Sequence, residues 1–124
     1  MKKFVVINEL FTASEGWEKA VKCIKKTKEA AEAYCAEQIT RNVTDFIEMD
    51  IDMGADVVGC KEIISKLSNG WDSFKKDEEL PDLMSENCYD FGWSGDYYEF
   101  GYDGSDGGNS WAVRYTIHEV EEEE

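Results

Sequence analysis

The chain has 124 residues, a length that supports one hydrophobic core and not two, so it reads as a single domain. Thirteen Lys and Arg stand against 28 Asp and Glu, a formal net charge of −15. That balance argues against direct binding of nucleic acid, which needs a basic footprint, and against an anionic membrane surface, which needs clustered Lys and Arg. A hydrophobic content of 42% with 13% aromatics, four of them Trp, assigns this charge to a folding chain, because a solvated acidic coil carries far fewer large apolar groups.

Met1 to Glu9 has two lysines but an apolar run of only four residues before Asn8 and Glu9 interrupt it, too short for the apolar region of a signal peptide. No stretch approaches the roughly 18 apolar residues of a membrane span. The expectation is a soluble, cytoplasmic protein. Cys23, Cys35, Cys60 and Cys88 form no Cys-x-x-Cys pair, which argues against a structural zinc site and for free, mostly buried thiols.

Phe4 to Ile7 is a β-branched and aromatic run that reads as a strand. Trp17 to Lys26 fits either a helical stripe or a strand, and a strand pairing with the first is favoured, because Thr27 just downstream is a good helix N-cap. A helix follows from about Lys28 to Arg41, with Ala31, Tyr34, Cys35 and Ile39 on one face. Thr44 to Met53 satisfies neither the helical nor the strand period and either continues the helix after a break or forms another short element. A second helix is expected from about Asp56 to Ser68, stopped by Asn69-Gly70 and weakened by Gly59. Asp77 to Asp82 reads as an acidic turn around Pro81, the only proline. Tyr97 to Tyr102 and Ser110 to Val120 read as two strands joined by a flexible loop, the second with Trp111, Val113, Tyr115 and Ile117 on its buried face. The expected fold is α+β: a small antiparallel sheet, built from an N-terminal strand or hairpin and a C-terminal hairpin, with two or three helices packed on one face. Residues 1–120 form the single domain and residues 121–124 an acidic tail.

Most catalytic signatures fail on inspection. Asp103 to Asn109 has the composition of a calcium loop, but Arg114 stands where the EF-hand pattern wants its twelfth-position glutamate, so a hairpin turn is favoured. Asp50-Ile51-Asp52 is reminiscent of the paired aspartates of phosphoryl transfer, which sit after the first strand of a sheet larger than this chain can build, so a solvated helix end is favoured. His118 is the single histidine and lies opposite the apolar stripe of its strand, which makes it a surface residue and leaves no base for a Cys or Ser nucleophile. No enzyme activity, cofactor or metal is expected.

What survives is the distribution of charge. Residues 1–41 carry eight bases and six acids, residues 42–76 four and seven, and residues 77–124 carry fifteen acids against Arg114 alone. Nine of the sixteen aromatics fall between Tyr89 and Tyr115, interleaved with acids. Half of such rings are expected in a sheet core, but carboxylates among aromatic faces also suit a Lys- and Arg-rich protein surface. The candidate partner-binding residues are Asp77, Glu78, Glu79, Asp82, Glu86, Asp90, Asp96, Glu99, Asp103 and Asp106. Dense carboxylates on a compact fold can stand in for a nucleic-acid backbone and occupy the basic groove of a nuclease, repressor or polymerase.

Asn69-Gly70-Trp71, followed after five residues by Asp77-Glu78-Glu79 and then Met84, resembles a segment of a small acidic anti-CRISPR protein of the DNA-mimic type, which occupies the DNA-recognition surface of Cas9. The resemblance implies that Asp77, Glu78, Glu79 and Asp82 face the arginines that read the short duplex motif beside the target. It also implies a phage-type origin and hence the cytoplasm of a bacterial host. The expected partner is a basic protein surface, such as that of a CRISPR nuclease. The alternative is an acidic adaptor that docks on a basic host protein without displacing nucleic acid.

Overall fold

The computed structural model describes residues 1–12, 15–94, 97–102 and 110–121, with the backbone alone for residues 93 and 94. Its elements in chain order are β1 (Lys2–Thr12), β2 (Gly16–Lys25), α1 (Lys28–Asp52), α2 (Val57–Ser68), α3 (Trp71–Lys76), α4 (Leu80–Glu86), β3 (Tyr89–Ser94), β4 (Tyr97–Tyr102) and β5 (Trp111–Glu121). The fold is α+β, with five antiparallel strands in the order β2-β1-β5-β4-β3. The sheet has more strands than the sequence reading expects, because Tyr89–Ser94 is a strand as well.

The alternation of β5 sets the two faces of the sheet. Trp111, Val113, Tyr115 and Ile117 are buried, while Arg114 and Thr116 are half-buried and His118 is exposed. The register carries that division outward: Val6 lies opposite Ile117, Phe100 opposite Val113 and Tyr98 opposite Tyr115. The ambiguous segment after Gly16 is the strand β2, and its pairing with β1 shifts between Val6 and Ile7, a bulge that leaves Lys22 without a partner across the ladder.

α1 begins where Thr27 Oγ1 accepts the Ala30 N–H at 3.1 Å. It runs for 25 residues to Asp52 with no break after Arg41, where the sequence leaves open a continuation after a break or a separate short element. The reason is a four-residue spacing, Ala31, Cys35, Ile39, Val43 and Ile47, all fully buried against the sheet. Thr40 and Thr44, which weaken a helical reading, donate their hydroxyls to the carbonyls of Ala36 and Thr40 at 2.8 Å and so lie comfortably in the helix.

The stretch around Pro81 also departs from the expected turn. Pro81 stands in the first turn of α4, where its missing N–H costs nothing and its fixed φ favours the helix. α3 contributes Trp71 and Phe74 to the core, with Phe74 5.2 Å from Phe91 and 6.1 Å from Phe100 between ring centres. Phe46 of α1 stacks on Trp111 at 4.6 Å.

Gly59 has a reason in this packing. A Cβ placed there would lie 2.7 Å from Asn87 Nδ2, and Asn87 is held in turn by donating to the Leu83 carbonyl at 2.9 Å. The glycine lets the start of α2 close on the end of α4. Gly59→Ala should therefore lose stability despite the better helix propensity of alanine, whereas on an open helix face the same change gains up to about 1 kcal/mol. Urea denaturation reads the sign.

Asp50 corrects the reading of Asp50-Ile51-Asp52 as a solvated helix end. It is the only buried acid among the described residues. Its carboxylate accepts the Tyr89 hydroxyl of β3 at 2.7 Å and Trp111 Nε1 of β5 at 3.0 Å. Burial pushes its carboxyl pKa above the ordinary 3.8, against the two hydrogen bonds that pull it down. Asp50→Ala removes the carboxylate acceptor of two buried donors and should cost about 2–4 kcal/mol in unfolding free energy. The folded chain holds this proton more tightly than the unfolded one. Ionising Asp50 thus costs the folded state stability, in full above the raised pKa, progressively less as the pH falls towards 3.8 and not at all below it. Asp50→Asn keeps an acceptor and removes the titration. Over that window the unfolding free energy of the wild type should rise relative to that of Asp50→Asn as the pH is lowered.

Candidate functional site

The first part of the acidic third, residues 77–94, forms the α3–α4 connection, α4 and the edge strand β3. The connection is a tight turn in which Asp77 Oδ1 accepts the Glu79 N–H at 3.0 Å. The other carboxylate oxygen of Asp77 accepts Lys66 Nζ of α2 at 2.6 Å, which ties the turn to α2. Lys66 holds the Asp77 carboxyl below its usual range and is itself raised by that partner. Asp77 is therefore engaged within the molecule.

Leu80 and Met84, one helical turn apart, bury the inner face of α4 and leave Asp82 and Glu86 exposed on the outer one. Glu78 and Glu79 in the turn and Asp90 on β3 are exposed too. No salt bridge among the described residues engages these five. Of the remaining candidates, Glu99 is half-buried in an ion pair, and Asp96, Asp103 and Asp106 lie outside the described residues, as does the loop with the calcium-like composition.

Five of the aromatics interleaved with these acids turn inward. Tyr89, Tyr98, Phe100, Trp111 and Tyr115 are buried on the helix side of the sheet, as expected of rings in a sheet core. They build the core and present no platform to a partner. The Tyr115 hydroxyl accepts Asn42 Nδ2 of α1, and the Tyr115 phenol is pushed up to about 12 by its burial.

On the opposite side of the sheet lies a cluster that the sequence reading does not anticipate. Arg114 donates to Glu9 Oε2 at 3.2 Å and to Glu99 Oε1 at 2.9 Å. Its guanidinium carbon lies 4.7 Å from the ring centre of Trp17 and 5.8 Å from that of Tyr97, and the Tyr97 hydroxyl bonds to Glu99. The lone base of the acidic third is thus spent inside the molecule. Glu9 and Trp17 come from the first hairpin, so only strand pairing brings them to it. Beside this cluster is a cavity of about 450 Å³, lined by Phe11, Gly92, Gly101 and Ala112 among others, with the carboxylates of Asp90 and Glu99 also in its wall.

The sheet order separates charge in space. β2, with Lys19 and Lys22 exposed, is one edge of the sheet, and β3, with Asp90, is the other. Among the described residues no group of three or more His, Cys, Asp and Glu could hold a metal ion. All four cysteines are free thiols; Cys35 and Cys60 are buried, Cys23 is half-buried and Cys88 is exposed. Burial pushes the Cys35 thiol up to about 12, which makes it inert at neutral pH. Among the described residues no helix is long and apolar enough to cross a membrane. No protein-family model, curated protein or solved structure matches the chain.

Arg114→Gln leaves the carboxylates of Glu9 and Glu99 facing each other without a cation. This variant should lose about 1–3 kcal/mol of stability. The Glu9→Gln/Arg114→Gln/Glu99→Gln triple variant should recover part of that loss, a coupling that denaturant melts of the series measure.

Proposed function

We propose that the chain is an acidic inhibitor protein that occupies the basic nucleic-acid-binding groove of a nuclease, a Cas9-type CRISPR effector being the favoured target, and blocks DNA by mimicking its charge. The observation that carries this reading is the set Glu78, Glu79, Asp82, Glu86 and Asp90, exposed and free of salt bridges among the described residues, along one turn, one helix and one strand. DNA presents one phosphate per about 3.4 Å of axis on each strand, held in register by its backbone. Here α4 and β3 hold carboxylates in fixed register instead, with Asp82 and Glu86 about 6 Å apart on one helix face.

Residues of like sign at this spacing repel, so the acids cost folding stability and are tolerated rather than useful to the fold. A groove lined by Arg and Lys reverses that penalty, because each carboxylate accepts a charge-assisted hydrogen bond. The cavity bordered by Asp90 and Glu99 is open to a Lys or Arg side chain from the partner. The 16 residues from Asn69 to Met84 that resemble the anti-CRISPR segment divide between core and surface. Trp71 and Met84 are buried and Asp77 is paired, which leaves Glu78, Glu79 and Asp82 to meet the arginines of the target.

The test is a competition of the protein against labelled duplex DNA for a guide-loaded Cas9-type nuclease at low salt, read by fluorescence anisotropy. Displacement of DNA is expected, weakening as salt rises. Asp82→Lys/Glu86→Lys should weaken it at least tenfold. A ternary complex with DNA still bound overturns mimicry in favour of the adaptor. Unchanged DNA binding and cleavage under excess protein overturns the Cas9-type target.

A further inference from the structure

We propose that the corner where α1 meets α2 is a docking site for a basic amphipathic helix of a partner protein. Met49 and Met53, one helical turn apart at the end of α1, are 56% and 60% exposed, and Val57 and Val58, which open α2 after a four-residue connection, are 44% and 76% exposed. Elsewhere in α1 and α2 the large apolar residues are buried or half-buried, so these four break the pattern of both helices.

Charge surrounds them. Asp45 lies one turn before Met49 on the same helix face, Asp52 lies three residues beyond it, and Glu48 and Asp56 complete the rim, all exposed. The last turn of α1 contains no base, although a helix C-terminus carries partial negative charge and favours one. Between Arg41 and Lys66 the chain carries one base, Lys61, one turn into α2. Arg41, the nearest base upstream, is paired with Glu37. The negative end of the helix, the acids and the exposed side chains therefore coincide.

That combination selects the occupant. Methionine is flexible and polarizable, so it moulds itself to varied apolar side chains. An apolar surface with an acidic rim receives a helix that shows apolar residues on one stripe and Lys or Arg beside them. A second copy of this corner would bring its own acids against these, and an anionic membrane would repel them. The site is distinct from the exposed carboxylates of α4 and β3, which have no comparable apolar neighbours among the strongly exposed residues.

The experiment labels the methyl groups of the four methionines with carbon-13 and titrates the intact protein with a synthetic peptide of Leu and Lys in helical amphipathic order. Met84 is buried in the core and Met1 is at the chain start, so both serve as internal controls. The Met49 and Met53 signals should shift while those of Met1 and Met84 stay. Met49→Ser/Met53→Ser should weaken the peptide at least tenfold; if that variant fails to fold, Val58→Ser, at the most exposed of the four positions, should weaken it severalfold. The proposal is overturned if no peptide binds, if Met1 shifts as much as Met49 and Met53, if a Lys and Gln peptide binds equally well, or if the serine variants keep wild-type affinity. Each of these outcomes leaves the competition with DNA unaffected, so the two proposals fail separately.

Discussion

The clamp formed by Asp50, Tyr89 and Trp111 fixes how the longest helix lies on the sheet. α1 spans about 37 Å at 1.5 Å per residue, and apolar contacts along its length are tolerant of sliding, because one methyl-lined groove resembles the next. A carboxylate that accepts from a hydroxyl on β3 and an indole N–H on β5 is not tolerant of it. Moving α1 by one residue would break both hydrogen bonds and leave the buried carboxylate unsatisfied, a penalty much larger than any gain from repacking. The same residue ends the helix: its carbonyl accepts the N–H groups of Met53 and Ala55, which turns the chain towards α2. The position of α2, and through Gly59 and Asn87 that of α4, follows from where α1 stops.

This arrangement converts a charge asymmetry along the chain into one in space. Had β3 paired beside β2, the lysines of β2 would have offset the acids of β3 and α4. Instead β1, β5 and β4 lie between them. The internal pairs refine the pattern further. Lys66 removes Asp77 from the exposed acids and Arg114 removes Glu9 and Glu99, each while holding a connection or a strand in place. In the α3–α4 turn, α4 and β3, the acids that remain outside make no salt bridge among the described residues, which suits the partner surface proposed above.

Much of this was legible in the residues. β5 and β4 announce themselves by alternation, α1 by its Thr27 cap and Ala-rich start, α2 by Asn69-Gly70, and the α+β class by their order. What sequence could not reach is what depends on distant partners. Val43 and Thr44 look unlike helix until Ile47 and the sheet supply the burial that outweighs their propensity. Tyr89–Ser94 does alternate, with Tyr89, Phe91 and Trp93 in step, but Asp90 and Gly92 dilute the signal and the acidic context suggests a loop. Asp50 and Asp52 are indistinguishable in the sequence, and one is buried where Tyr89, 39 residues away, donates to it. The inward aromatics and the Arg114 cluster have the same origin, since each is defined by register across strands that are far apart in the chain.

The two proposed surfaces would contribute different physics to a complex. Exposed carboxylates on α4 and β3 act over a Debye length, so they accelerate and orient encounter with a basic groove, but salt screens them and water competes for every contact. Met49, Met53, Val57 and Val58 act only on contact, through apolar area removed from water, which salt does not weaken and which slows dissociation. A partner that engages the first surface alone would bind fast and leave fast. One that also seats a basic helix at the α1–α2 corner would gain residence time without any change in the rate of approach. The rim of acids around the methionines would then favour partners of the same charge that the first surface attracts, so a basic protein with an amphipathic helix near its nucleic-acid groove is the target that meets both demands.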